Sequence, residues 1–406
     1  MRLPQKTNNK IRLMNITFLL RLWPVYGGGE TVTICLANEM IKRGWNVSVL
    51  YFKNNTRPDL PFIDPAVKAV QIPDIRCDEF TTRFPDADKV TSYLKEYIQE
   101  NDIHYLINQW WPVEYICGIR GRYKTKIVTC LHQALYTPMI EGTGINGFLK
   151  KRCTSLYKFW KKRHSCRQVT RFLPHTDKYI FLSPAFQHQY EQFANHKNTN
   201  RQLGAIPNPL VYPNEIRPED LQSKEKTVLL VGRMVEIQKR ITRAIKIWSA
   251  IENDPRLDEW NFRIVGEGPD LAMYKQLAQT LGLKRISFEG FRNPQPYYKQ
   301  AAIFMMTSAF EGFPMTLVEA QQCGVVPVVM DSYLSLHDIV ETGYNGIIVS
   351  NEDLTGYVNK IKELMTDTSL REKLAMNGLH SCRRFCVEEI VNNWEELFND
   401  LSANRR

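Results

Sequence analysis

The stretch from Ile303 to Met330, IFMMTSAFEGFPMTLVEAQQCGVVPVVM, decides how the rest of the chain is read. It opens on an apolar run, Ile303–Thr307, and turns through Glu311, Gly312 and Pro314. Helical spacing then carries through Glu319 and Ala320, breaks at Gly324, and a second apolar run, Val325–Met330, follows. Apolar runs without polar alternation are what strands buried on both faces require, and two such runs joined by a helix make a parallel unit. Pro314 suits the first turn of the helix, where its missing N–H would have had no partner.

The same alternation extends in both directions. Thr227–Val231 is a strand followed by a helical segment to about Glu252, and Asn261–Val265, Ile286–Phe288 and Gly346–Val349 are further strands. Before residue 210 a separate series runs Asn15–Leu20, Val47–Phe52, His104–Asn108, Lys126–Leu131, Tyr179–Leu182 and Gly204–Pro209. The glycine cluster Gly27–Gly29 and a helical stretch Glu30–Arg43 follow its first strand. Between the series, Asn208–Leu221 carries Pro209, Pro213 and Pro218 among polar residues and reads as a linker. The expected fold class is α/β, two doubly wound Rossmann-like domains facing a central cleft, with ligands at the carboxyl ends of the strands. A length of 406 residues suits two domains. The expected boundaries are 1–206 for the first domain, 207–385 for the second, and a terminal helix, 386–406, crossing back to the first domain.

A hydrophobic content of 43% and a charged content of 24% are those of a soluble globular protein. No apolar run reaches the roughly 18 residues of a spanning helix. The basic start followed by Met14–Leu20 resembles a secretion signal, but Asn15 and Thr17 interrupt it and no small-residue cleavage pattern follows, so it reads as the first buried strand. The nine cysteines show no CxxC pair, and the close spacings Cys153/Cys166 and Cys382/Cys386 lack further metal-ligand partners; reduced thiols and a cytoplasmic setting are expected. The net charge of +10 is concentrated: Phe148–Phe172 holds nine Lys or Arg and no acid, which leaves +1 for the remainder. Mixed with Phe159 and Trp160, the segment 148–172 is expected to meet an anionic membrane surface at the inner face. A solvated helix and a nucleic-acid patch are the other readings, and no nucleic-acid partner is expected.

Candidate site residues cluster at strand ends. Gly28 and Gly29 stand at the first strand-to-helix turn, where backbone N–H groups can approach a phosphate. A dinucleotide dehydrogenase is disfavoured, because Val32 breaks the GxGxxG pattern and the second strand ends at Lys53 without an acid. Arg233 and Lys239 follow the strand Thr227–Val231, cations at a helix start where anions are preferred, which suits a bound diphosphate. Gly266 and Gly268 close the next strand, and Gly290 with Phe291 closes another, where an aromatic can border a base. Glu311 in its turn and Glu319 on its helix can accept hydrogen bonds from sugar hydroxyls. Between them the free N–H groups of the turn can face phosphate. Asp86-Ala87-Asp88 is a DxD, read as a helix cap rather than a metal site.

Glu311 and Glu319, with Gly312-Phe313-Pro314, Ala320 and Cys323-Gly324-Val325-Val326-Pro327-Val328, resemble the retaining family 4 glycosyltransferases, also called glycosyl transferases group 1. Arg233 with Lys239, the first glycine turn and Ile206-Pro207-Asn208-Pro209 are similar too, although Pro209 stands where the family usually has Gly. The resemblance implies a GT-B fold, a nucleotide-sugar donor, a glycan or lipid-linked acceptor and no metal or other cofactor. It implies that Glu311 faces the transferred sugar, Glu319 the ribose, and Arg233 and Lys239 the diphosphate. His132, ending Lys126–Leu131, falls where the family keeps a histidine near donor and acceptor. Gly28, Gly29, Gly266, Gly290, Phe291, Gly312, Phe313, Thr316 and Leu317 would line the donor. A sugar-nucleotide epimerase of the same fold and a non-catalytic nucleotide or nucleic-acid binder remain the alternatives.

Overall fold

The structure, a computed structural model, describes residues 13–24, 28–54, 62–73, 75, 86–136, 154–212 and 216–403. The described residues form two compact units. One is built from Met1–Leu182, Gln187–Pro209 and Val387–Arg406, the other from Ser183–Phe186 and Leu210–Cys386.

The first unit is a seven-stranded parallel sheet ordered β3-β2-β1-β4-β5-β6-β7. Its strands are β1 Asn15–Leu19, β2 Asn46–Tyr51, β3 Lys68–Gln71, β4 Tyr105–Asn108, β5 Lys126–Leu131, β6 Lys178–Phe181 and β7 Leu203–Ala205. The inner strands are apolar almost throughout and buried, as a sheet covered on both faces demands. The edge strand β3 was not anticipated: Lys-Ala-Val-Gln has no apolar run, and most of it is exposed. The helix Gly28–Lys42 begins two residues before the expected Glu30, so Gly28 and Gly29 form its first turn.

The helix Val387–Ala403 packs on this unit. Its buried residues Ile390, Val391, Trp394, Leu397, Phe398 and Leu401 recur at helical spacing along one stripe. Phe398 stacks on Tyr105 at 4.1 Å and meets Trp45 edge-on at 6.1 Å, while the Tyr105 hydroxyl donates to the Phe398 carbonyl at 2.9 Å. Arg43 adds an ion pair to Glu395 at 3.1 Å.

The second unit is a six-stranded parallel sheet ordered β10-β9-β8-β11-β12-β13. Its strands are β8 Glu225–Val231, β9 Asn261–Val265, β10 Ile286–Gly290, β11 Ala301–Met306, β12 Val326–Asp331 and β13 Ile347–Ser350. Chain order reverses between β1 and β4 in one sheet and between β8 and β11 in the other, and such reversals open a crevice at the strands' carboxyl ends.

The helical segment expected after β8 to about Glu252 is made of two helices, and Lys239 closes the first rather than opening the second. One turn, Glu236–Lys239, ends at Arg240 in the left-handed region (φ 50°), and a second helix, Ile241–Glu252, starts there. Glu236 covers the new helix start, accepting from the Thr242 N–H at 3.2 Å and from its hydroxyl. Asp86 stands at the start of the helix Ala87–Glu100 without a side-chain cap bond, contrary to the capping expected of it; its carboxylate lies 3.8 Å from Lys89. The described cysteines form no disulfide, and no described helix is long and apolar enough to cross a membrane.

Replacing Phe398 by Ala should cost about 3–5 kcal/mol, the usual penalty for emptying a fully buried aromatic position. Urea unfolding followed by far-UV circular dichroism measures this, and an unchanged midpoint would show that the terminal helix does not support the first sheet.

Candidate active site

The second unit's site grows from the loops after β8, β9, β10 and β11. Gly266 has φ +139°, and a Cβ there would fall on the Gly232 carbonyl oxygen, so only glycine lets the two loops approach. Backbone bonds lace them: Gly232 N–H to Val265 O at 3.0 Å, Met234 N–H to Glu267 O at 2.8 Å, and Gly266 N–H to Gly290 O at 2.8 Å. Gly290 is itself left-handed (φ +71°), and it leads to Phe291, a half-exposed ring at 49%.

Lys239, last residue of the one-turn helix, extends its stem over Gly232, where a Cβ would come within 3.3 Å of its Cε. Its Nζ donates to Glu311 Oε1 at 2.7 Å, with the two side chains only 14% and 8% exposed. The other carboxylate oxygen accepts from Gln238 Nε2 at 3.3 Å, and Gln238 Oε1 accepts from Arg233 at 3.2 Å. Arg233 is exposed, so one cation of the pair is sequestered while the other faces solvent. Two bonds join the short helix to the end of β11: Ala309 N–H donates to Gln238 O at 2.7 Å and the Thr307 hydroxyl to Lys239 O at 3.1 Å. Gln238 was not singled out from sequence, since only the fold shows its reach to Glu311.

Glu319 lies within the helix Met315–Gln322 and is buried. Its Oε2 accepts from the Tyr298 hydroxyl at 3.0 Å. Burial raises its carboxyl to about 7, against a smaller lowering by that hydrogen bond. Tyr298 is held in turn by Lys224, whose Nζ donates to the carbonyls of Tyr298, Lys299 and Cys323 at 2.9, 2.8 and 2.6 Å. Burial lowers that ammonium to about 8. Neither Tyr298 nor Lys224 carries a sequence signal, because both act through tertiary contacts.

The Glu311–Glu319 turn divides its residues. Phe313 is buried edge-on against Phe385 at 5.4 Å, and Leu317 is fully buried, which leaves their backbones for a ligand. Gly312 and Thr316 are partly open.

In the first unit, Gly28 and Gly29 contribute first-turn backbone, and Gly27 lies outside the described residues. His132 follows β5 and stacks on Trp110, which follows β4, at 5.3 Å and 30°. Both imidazole nitrogens and the Trp110 indole nitrogen are buried without a partner among the described residues. Burial lowers His132 to about 4, so the ring is neutral at physiological pH. An unmatched buried polar atom costs about 1–3 kcal/mol, and three on two stacked rings fit a place that a polar ligand completes. Trp110 was missed, as a tryptophan after a strand reads as core.

Two doubly wound parallel sheets, each with its site residues at the carboxyl ends of its strands, define a GT-B type glycosyltransferase. The model for glycosyl transferases group 1 matches residues 212–380 and that for glycosyltransferase family 4 matches residues 26–209; the chain belongs to the family 4 glycosyltransferases. A Campylobacter jejuni protein is 22% identical over 96% of this chain and 99% of its own length. It is named GalNAc-alpha-(1->4)-GalNAc-alpha-(1->3)-diNAcBac-PP-undecaprenol alpha-1,4-N-acetyl-D-galactosaminyltransferase. An exopolysaccharide phosphotransferase of Streptomyces coelicolor is 28% identical over 50% of this chain but only 21% of its own length. A mutant of S. aureus TarM, solved with fondaparinux, alpha-GlcNAc-glycerol and UDP, shares the fold at a TM-score of 0.70 and 14% identity, over 95% of this chain and 100% of its own.

Removing Lys239 strands a buried carboxylate. Lys239→Ala should lower transfer by about 10²-fold or more and destabilise the protein by about 3 kcal/mol. Adding Glu311→Ala should recover part of the stability and none of the activity, read from a double-mutant cycle of melting and turnover.

Because the Glu319 carboxyl sits near 7 when folded and 4.5 when free, the folded state holds the extra proton between those values. Stability should therefore fall as pH rises from about 5 to 7 and level off above. Glu319→Gln should flatten that profile and melt higher than the wild type at about pH 8 in scanning calorimetry; superimposable profiles would rule out the raised carboxyl.

Proposed function

We propose that this protein transfers a sugar, with retention at the anomeric carbon, from a nucleoside-diphosphate sugar to a glycan or lipid-linked acceptor in surface-polysaccharide assembly. The observation that carries this reading is the buried Lys239–Glu311 pair, with Arg233 beside it, at the carboxyl ends of β8 and β11.

The reaction breaks the bond between the anomeric carbon and a diphosphate oxygen and leaves the electron pair on the diphosphate. Arg233 and Lys239 supply the positive charge that the leaving group needs, fixed in place before it develops. In this reading no metal is required, because two cations serve the phosphates. Glu311, oriented by Lys239 and Gln238, accepts hydrogen bonds from the donor sugar's hydroxyls. Glu319, positioned by Tyr298, accepts from the ribose. The acceptor hydroxyl attacks the face that the diphosphate leaves, and its proton passes to the departing phosphate oxygen. His132, uncharged and with both nitrogens unmatched, can hydrogen-bond a sugar hydroxyl as donor and as acceptor.

A lipid-linked acceptor is supported by the C. jejuni relative, whose name specifies a glycan on undecaprenyl diphosphate, and a uridine donor by the TarM complex that holds UDP.

Thermal shift with UDP, GDP, ADP and their sugars tests the donor. The matching nucleotide at about 100 times its Kd adds about 2.7 kcal/mol and raises Tm by roughly 3 °C for a chain of this length. NMR of the product made with that donor should show the donor's own anomeric configuration. Inversion would overturn the retaining assignment, and epimerised nucleotide sugar formed without an acceptor would overturn the transferase reading.

A further inference from the structure

We propose that Glu352 is a positioning residue for Lys239, holding Arg240 in the left-handed backbone at which the one-turn helix ends. The inference rests on the sugar-transfer reading above only for what Lys239 does, since the placement itself is a matter of backbone geometry.

Among the described residues of the second unit, Arg240 (φ +50°) and Glu352 (φ +74°) are the two other than glycine with positive φ. Neither residue type favours that region, which costs a side-chain-bearing residue enough to shift an equilibrium by about 5- to 30-fold. Arginine is moreover a good helix former, so its own preference is to run Glu236–Lys239 straight into Ile241–Glu252. Something outside the helix must hold it otherwise.

The two strained residues meet. Glu352 stands in the turn between β13 and the helix Leu354–Thr366, and its Oε1 accepts from Arg240 Nη1 at 3.4 Å and from Arg243. Asn351 beside it accepts from Arg243 at 3.1 Å. Arg240 and Arg243 are mostly buried and lie one turn apart at the start of a helix, where the macrodipole disfavours cations. Burial and then the charge of Arg243 lower the Arg240 guanidinium. A lone exposed ion pair contributes little, but here one carboxylate neutralises two cations that otherwise repel each other. From the other side, the Thr307 hydroxyl bonds the Lys239 and Arg240 carbonyls, each at 3.1 Å. The end of β11 thus pins the backbone of the junction and the turn after β13 pins its side chain. Lys239 is left over Gly232, within reach of Glu311.

Steady-state kinetics and hydrogen–deuterium exchange of the segment 236–243 test this on the full chain. Glu352→Ala should lower kcat/KM for the donor about fivefold or more, leave the acceptor KM unchanged and raise exchange across 236–243. Arg240→Gly needs no partner to be left-handed and should keep activity within about twofold. Arg240→Ala lacks the guanidinium equally but should behave like Glu352→Ala. In the Arg240→Gly background, Glu352→Ala should have no further effect on either readout. If Glu352→Ala melts low, Glu352→Gln is read in its place. Wild-type kinetics and exchange in the Glu352 variant, equal losses with and without Arg240→Gly, or Arg240→Gly as impaired as Arg240→Ala would each overturn the proposal. The expected exchange pattern in a protein that transfers sugar from no nucleotide donor would overturn the transferase reading while bearing out the placement.

Discussion

The ion pair between Lys239 and Glu311 is the constraint on which the second unit's architecture converges. Two charged groups this buried are tolerated only when their geometry is tightly set, since removing either leaves the other without compensation. That geometry comes from sheet order. β8 and β11 are parallel neighbours only because strand order switches to the other side of β8 after β10, and each ends in a loop that supplies one partner. The left-handed Arg240 cuts the helix after a single turn and leaves Lys239 at its end, over Gly232. A continuous helix would have carried Lys239 onward without that termination. Gly266 is needed for the same reason: any side chain there would push the β9 loop off Gly232 and with it the floor beneath Lys239.

The two glutamates of the turn and helix solve the problem of a buried carboxylate differently. Glu311 has a full countercharge and a second donor, one on each oxygen. Glu319 has only a neutral phenol, so burial shifts its protonation instead. Residues so close in sequence thus meet a ligand with different partners already in place. The buried network behind Glu319, from Lys224 through three carbonyls to Tyr298, uses a cation to fix backbone rather than to pair with an acid.

What the sequence made legible follows from burial. β5 and β9 could be read to the residue because apolar runs on inner strands have no other use. β3 could not, because an edge strand needs no apolar face. Glu311 and Glu319 stood out as charges in a turn and among leucine, valine and alanine; Arg233 and Lys239 stood out as cations at an expected helix start, whereas Lys239 closes its helical turn, where a cation is favoured. Gln238, Tyr298, Lys224 and Trp110 break no local rule, and their roles exist only in contacts between distant segments. Phe313 shows the converse, a residue in a conspicuous motif whose side chain is occupied by packing on Phe385.

The two units also differ in how their polar groups stand before any ligand arrives. In the second, Arg233, Gln238, Glu311 and Lys239 are joined by hydrogen bonds, so an anion that takes Lys239 must compete with Glu311 for it. In the first unit, His132 and Trp110 hold buried nitrogens with no partner among the described residues. A hydroxyl-bearing ligand there breaks no protein bond and relieves an existing penalty, so neutral polar groups suffice. Charge thus governs what the one site accepts and hydrogen-bond complementarity what the other accepts, which is what the proposed transfer asks of its donor and its acceptor.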